Sequence, residues 1–152
     1  MSKKLKYLII HCTDTPEGRE VTKADIEQWH LVENGWSKVG YSDMVHIDGS
    51  LESLIPFDLN EEVDSWEISN GARGFNSVSR HVVYVGGKGK DTRTKEQERT
   101  LMVYCYYMIL RHPDLLIGGH NQFSEKDCPS FDVPLWLQSI AFPDKNILKG
   151  KV

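Results

Sequence analysis

Histidine and cysteine are the side chains in this 152-residue sequence best suited to hold a transition metal, and it carries six of the first and three of the second. Neutral imidazole and thiolate are the common ligands of zinc. His120 and Cys128 flank seven residues in the polar run HNQFSEKDC, a length over which a loop can turn both side chains toward one point. His11 closes the apolar run Tyr7–Ile10, and strand ends of this kind line ligand crevices in open α/β sheets. Convergence of His11, His120 and Cys128 on zinc (Zn2+) would leave one coordination position open, as hydrolytic zinc requires. The residues leave two other readings open. One is a surface histidine, a strand-end histidine and a buried thiol with no shared role. The other is a metal-independent hydrolase with Cys128 as nucleophile and His120 as its base.

These side chains need elements to carry them. The continuous apolar stretch within Lys6–Cys12 predicts a buried strand ending at His11. Thr22 is placed to cap a helix over about 23–34, with Ile26, Trp29 and Val32 on one face and Gly35 as a left-handed stop. Residues 42–47, the dipeptide Asp48-Gly49 and residues 50–55 predict a hairpin with a two-residue turn, and Tyr41 stands at its entrance. The irregular, partly acidic stretch 56–76 predicts a long surface loop of the kind that often carries function. Residues 79–85 predict a further strand, and Thr94 with Gln97 forms a capping box for a helix to about Arg111 that turns Leu101, Tyr104, Cys105 and Met108 inward. A short strand over 115–118, a loop over 120–129 and a last helix from Asp132 to about Ile140 complete the chain. Strands interleaved with helices predict an α/β fold: a single domain over 1–152, its central mixed β-sheet flanked by helices, with zinc in a surface cleft.

The remaining prominent residues read as structure. Trp29 and His30 fit helix packing and a helix-end hydrogen bond, Cys105 fits the core, and Cys12 alternates with His11 and so faces away from it. Lys88, Lys90, Arg93 and Lys95 read as a solvated turn, and Lys145, Lys149 and Lys151 as a frayed tail. Composition narrows the function. Eighteen basic against 22 acidic residues give a formal charge of −4, which lacks the cationic field of a nonspecific nucleic-acid binder, so no nucleic acid is expected. The apolar run before His11 is too short for a signal peptide or a membrane span, and three irregularly spaced cysteines fit a reducing cytosol. The expectation is a monomer made in the cytoplasm without a signal peptide or membrane insertion.

Four segments, LIIHCTDTP, IEQWHLVENGWSKVGYSDMVHIDGS, FNSVSRHVVYVGG and GGHNQFSEKDCPSFD, resemble in that order the type 2 N-acetylmuramoyl-L-alanine amidases. That family includes amidase-type bacteriophage lysozymes and the peptidoglycan recognition proteins. The resemblance spans about residues 5–140, with 141–152 as a C-terminal tail. It implies that His11, His120 and Cys128 are zinc ligands, and that Tyr41 and Lys126 are catalytic groups beside the metal. It also implies hydrolysis of the amide between the lactyl group of N-acetylmuramic acid and L-alanine in bacterial peptidoglycan. A phage or prophage endolysin, acting on the wall after release, fits these expectations. Family members without the cysteine bind peptidoglycan without cutting it, so a noncatalytic peptidoglycan-binding module is the alternative that Cys128 argues against. The sequence also departs from the family. Ser42-Asp43 stands where many relatives have His-Phe, and Gly71-Ala72 where many have His-Ala, so a histidine expected at the groove is absent. His81 is placed either to fill part of that role or to be an ordinary strand residue, and the second reading is favoured.

Overall fold

The computed structural model describes residues 2–152; Met1, the first residue of the span assigned to the domain, lies outside them. The strands are β1 (Lys3–Lys4), β2 (Tyr7–Cys12), β3 (Asp43–Val45), β4 (Leu51–Ser53), β5 (Glu62–Val63), β6 (Ser79–Tyr84) and β7 (Leu116–Gly119). The α-helices are α1 (Lys23–Glu27), α2 (Lys95–Arg111) and α3 (Val133–Ser139). Five strands form one sheet in the order β4-β3-β6-β2-β7, in which only β4 runs antiparallel to its neighbour. This is the mixed central sheet of an α/β domain.

β2 lies inside the sheet because both of its faces are apolar: Leu8, Ile9 and Ile10 are fully buried. Leu8, Ile10 and Cys12 join one core with Leu101, Cys105 and Met108 of α2 and Val133 and Leu137 of α3. On the opposite face Met44, Val83 and Val85 pack with Val21 and with Ile26 of α1. His11 and His81 lie on this second face, because side chains alternate along each strand. The N-terminal caps of α2 and α3 form as their sequences dictate. Thr94 accepts from the Gln97 N–H while the Gln97 side chain accepts from the Thr94 N–H, and Asp132 accepts from the Leu135 N–H.

Several elements differ from the sequence-based expectation. The helix predicted over 23–34 is α-helical only to Glu27 and continues as a π-helical turn, Gln28–Glu33, in which the Asn34 N–H donates to the Trp29 carbonyl five residues back. The wider turn rotates the following face outward, leaving Val32 66% exposed. The hairpin turn holds three residues, Ile47, Asp48 and Gly49, within the His46 N–H to Ser50 carbonyl bond. Gly49 takes φ 87° there, and a Cβ on it would meet Glu96 at 2.9 Å.

The stretch 56–76 is not simply a surface loop. Its β5 pairs antiparallel with β1, and Glu67, 1% exposed, organises it from inside. The Glu67 carboxylate accepts from the Asp58 and Asp64 N–H groups, both at 2.8 Å, and pairs with the buried Arg80 guanidinium at 3.2 Å. Arg93, read as part of a solvated turn, is covered: its guanidinium lies 3.4 Å from the Phe131 ring centroid and is held by the Asp91 carboxylate. The segment read as a frayed tail is docked. Phe142, Asn146 and Ile147 are buried, and Asn146 donates to the Pro113 and Leu115 carbonyls.

Candidate metal centre

The neighbours of β2 explain why a site opens at its end. The chain reaches β6 on one side and β7 on the other, so the connections diverge beyond the carboxyl end of β2 and leave a crevice there. His11 points into it from β2. His120 follows directly on β7 in a short 3-10 turn, His120–Gln122. Gln122 anchors that turn, accepting from the Gly119 N–H at 2.9 Å and donating to the Leu148 and Gly150 carbonyls. Cys128 arrives on the following loop, tied to the sheet by Tyr84 Oη on the Pro129 carbonyl and Ser130 Oγ on the Gly87 carbonyl.

The structure therefore brings together the three residues that spacing marked as possible ligands. One ligand atom each from His11, His120 and Cys128 lie within 4.8 Å of one another, and Cys128 Sγ is 3.8 Å from His11 Nδ1. Burial, reinforced by the neighbouring His81, His120 and Lys126, holds the His11 imidazole well below its ordinary pKa. Burial and then the Lys126 charge bring His120 down to about 4. Both rings are thus neutral near pH 7 and offer lone pairs. The adjoining Cys12 thiol and burial push the Cys128 thiol up, so a cation is needed to draw out its thiolate. Two neutral imidazoles and a thiol that ionises on metal binding form a donor set that fits zinc. Cys12 joins the core on the other face, as the alternation predicted, but it is not remote from the site: its thiol adjoins Cys128 and it also lines the cleft.

The site lies in a cleft of about 470 Å³ that Tyr41, His30, Trp36 and Lys126 also line. The Tyr41 ring stands 5.2 Å from His11 and 5.2 Å from His30. His30 makes the helix-end contact expected of it, accepting from the Gly40 N–H at 2.9 Å, but it also stacks on Trp36 at 4.6 Å and so fixes the backbone that presents Tyr41. This place in the cleft was not legible in the helical pattern. Burial raises the Tyr41 phenol, which stays protonated as a donor. Lys126 is exposed at the rim. Ser42 and Asp43 are buried, and Asp43 accepts from Tyr104 Oη at 2.6 Å, so this departure from the family serves the core.

His81 is not the ordinary strand residue favoured by the sequence. It is fully buried, and its Nδ1 lies 2.8 Å from His11 Nε2. Its ring occupies the space that a side chain at residue 71 would claim: a Cβ on Gly71 would come within 2.5 Å of His81 Nδ1. A histidine inside an apolar strand was the available signal, but the pairing of Ile9 with His81, which puts the two rings on adjacent strands of one face, is a property of the assembled sheet.

No protein-family model matches the chain. It is similar to the endolysin of Escherichia phage T7, with 31% identity over 134 residues that cover 85% of this chain and 83% of that one. It is also similar to the endolysin of Enterobacteria phage K11, with 30% identity over 142 residues, 90% of this chain and 88% of that one. Among solved structures, the N-acetylmuramoyl-L-alanine amidase LysC from Clostridium intestinale superposes with a TM-score of 0.73 at 18% identity, covering 92% of this chain and 87% of its own. Identity at this level across most of both chains, on a shared fold, shows that the chain belongs to the family of type 2 N-acetylmuramoyl-L-alanine amidases and peptidoglycan recognition proteins, alongside the endolysins of T7-like phages.

Proposed function

We propose that this protein is a zinc-dependent N-acetylmuramoyl-L-alanine amidase that cuts the amide between the lactyl group of N-acetylmuramic acid and L-alanine in bacterial peptidoglycan. In this reading it is one amidase domain acting as a monomeric phage or prophage endolysin, made in the cytoplasm and working on the wall after release. The observation that carries the proposal is the convergence of His11, His120 and Cys128 in the cleft that also holds Tyr41 and Lys126. The relatives support the substrate class: the phage proteins are endolysins, and a human peptidoglycan recognition protein of similar fold was solved with a glycosamyl muramyl pentapeptide. Among the described residues no helix is long and apolar enough to cross a membrane.

His11, His120 and Cys128 would hold the ion. When bound, zinc supplies Lewis acidity for an amide carbonyl and lowers the pKa of water toward about 7. Tyr41, kept protonated by burial, donates a hydrogen bond to the oxyanion that develops on the carbonyl. Lys126 brings a positive charge to the same side, and one such donor is worth about 2.7–4 kcal/mol at the transition state. A protonated phenol or ammonium in this position also supplies the proton that the departing L-alanine amine needs. His30 keeps Tyr41 in place through Gly40.

Digestion of purified peptidoglycan tests the proposal. The expected products are free stem peptides beginning with L-alanine, with glycan strands intact and activity abolished by chelation. New reducing ends would identify a glycosidase instead. Activity that survives complete metal removal would favour Cys128 as a nucleophile, and sedimentation with peptidoglycan without any cleavage would favour a binding module.

A further inference from the structure

The protons around His11 can be placed by deduction. The Ala72 N–H is only a donor, and it lies 2.9 Å from Asn76 Oδ1, which therefore is the amide oxygen and accepts. The same oxygen lies 3.0 Å from His81 Nε2, so Nε2 carries hydrogen and donates. In neutral imidazole the other nitrogen is then an acceptor. His81 is neutral because its ring is fully buried, with the Asn76 amide and the His11 imidazole as its partners among the described residues and no carboxylate to balance a charge. His81 Nδ1 thus accepts from His11 Nε2 at 2.8 Å. With its hydrogen on Nε2, His11 has its lone pair on Nδ1, the nitrogen 3.8 Å from Cys128 Sγ. The first two links run one way because the chain starts at a backbone group that cannot reverse, and the third follows from a neutral His81.

We infer that His81 is a positioning residue which, with Asn76, locks His11 in the tautomer and ring orientation whose Nδ1 faces the metal centre. The room for it exists because residue 71 is glycine: any side chain there would collide with the His81 ring. The loop carrying Gly71 and Asn76 therefore joins the metal centre without contributing a ligand. Outer partners of metal-binding histidines fix tautomer and raise basicity, and losing one weakens metal binding by about 10- to 100-fold. The inference rests on the zinc reading above for its consequence, but the tautomer itself does not.

The test compares the whole wild-type chain with His81→Phe, which keeps a ring and removes the acceptor, and His81→Gln, which keeps an acceptor on a different frame. Two quantities are read: the His11 tautomer in metal-free protein, by NMR of the imidazole nitrogens, and zinc affinity, by competition with a chromogenic chelator. The expected result is a single Nε2–H tautomer for His11 in the wild type, a mixture in His81→Phe with zinc affinity lower by about 10- to 100-fold, and substantial recovery of both in His81→Gln. Circular dichroism confirms that each variant is folded, and if His81→Phe is not, the wild type and His81→Gln decide. A His11 tautomer and zinc affinity unchanged in a folded His81→Phe overturn the inference, as does an Nδ1–H tautomer in the wild type. Wild-type protein that binds no zinc, with a tautomer still dependent on residue 81, would instead overturn the metal assignment and leave the positioning role standing.

Discussion

At the scale of single residues, Cys128 separates the possible readings most cleanly. Its thiol is the only sulfur in the ligand cluster, and serine in its place is a harder ligand that hardly ionises. Cys128→Ser is expected to lose or greatly weaken zinc while still sedimenting with insoluble peptidoglycan, because the rest of the cleft is untouched. Elemental analysis checks this, and full, tight zinc in the variant would place the metal elsewhere. Tyr41 and Lys126 line the same cleft outside the cluster, so Tyr41→Phe and Lys126→Ala should keep zinc. Each should lower kcat more than it raises KM, by about 100- to 1000-fold if it serves as an oxyanion donor. Near wild-type turnover in both would remove them from the mechanism.

At the scale of elements, the stretch 56–76 shows how a segment without periodicity becomes ordered. Glu67 acts as its internal post, satisfying two backbone N–H groups and one face of Arg80, whose guanidinium also lies 4.7 Å from the Phe57 ring centroid. Removing the carboxylate leaves a buried guanidinium unpaired, so Glu67→Ala should cost about 3–5 kcal/mol, read as a shift of the urea midpoint. A variant within about 0.5 kcal/mol of wild type would show that the pair contributes little. The same loop delivers Asn76 to His81, so loosening it is also expected to weaken zinc binding.

At the scale of the molecule, the cleft gathers histidines that burial keeps neutral. The ordinary histidine pKa of 6.5 falls to about 4 for His30 and His120 and to about 3 for His81, in each case chiefly by desolvation, and lies well below 6.5 for His11. The sign follows from proton counting. Below pH 6.5 the unfolded chain takes up protons that the folded one refuses, so the stability present above that pH drains away as pH falls toward about 4 and below. Metal-free protein should therefore show a lower urea midpoint at about pH 5 than at about pH 7.5, and replacing His81 with Phe should reduce the difference. Zinc at about 100 times its Kd should raise stability near neutral pH by about 2.7 kcal/mol. A midpoint that does not change with pH would show that these histidines are not held neutral.

The sequence by itself determined whatever depends on neighbours along the chain. The capping residues Thr94 and Asp132, the buried run of β2 and the stop at Gly35 are short-range signals, and all are realised. The three ligand candidates were also readable, because residue type and loop length limit which side chains can meet, although spacing alone left other readings open. Tertiary structure decided the rest. β1 and β5 have two residues each and carry no period, so only their pairing reveals them. The docking of Ile147 beside Ile117 and the burial of Arg93 and Glu67 depend on surfaces far apart in sequence. The contact between His11 and His81 spans 70 residues and exists only in the parallel register of β2 with β6. A one-residue slip would turn the His81 side chain to the other face, so no local pattern could have announced it.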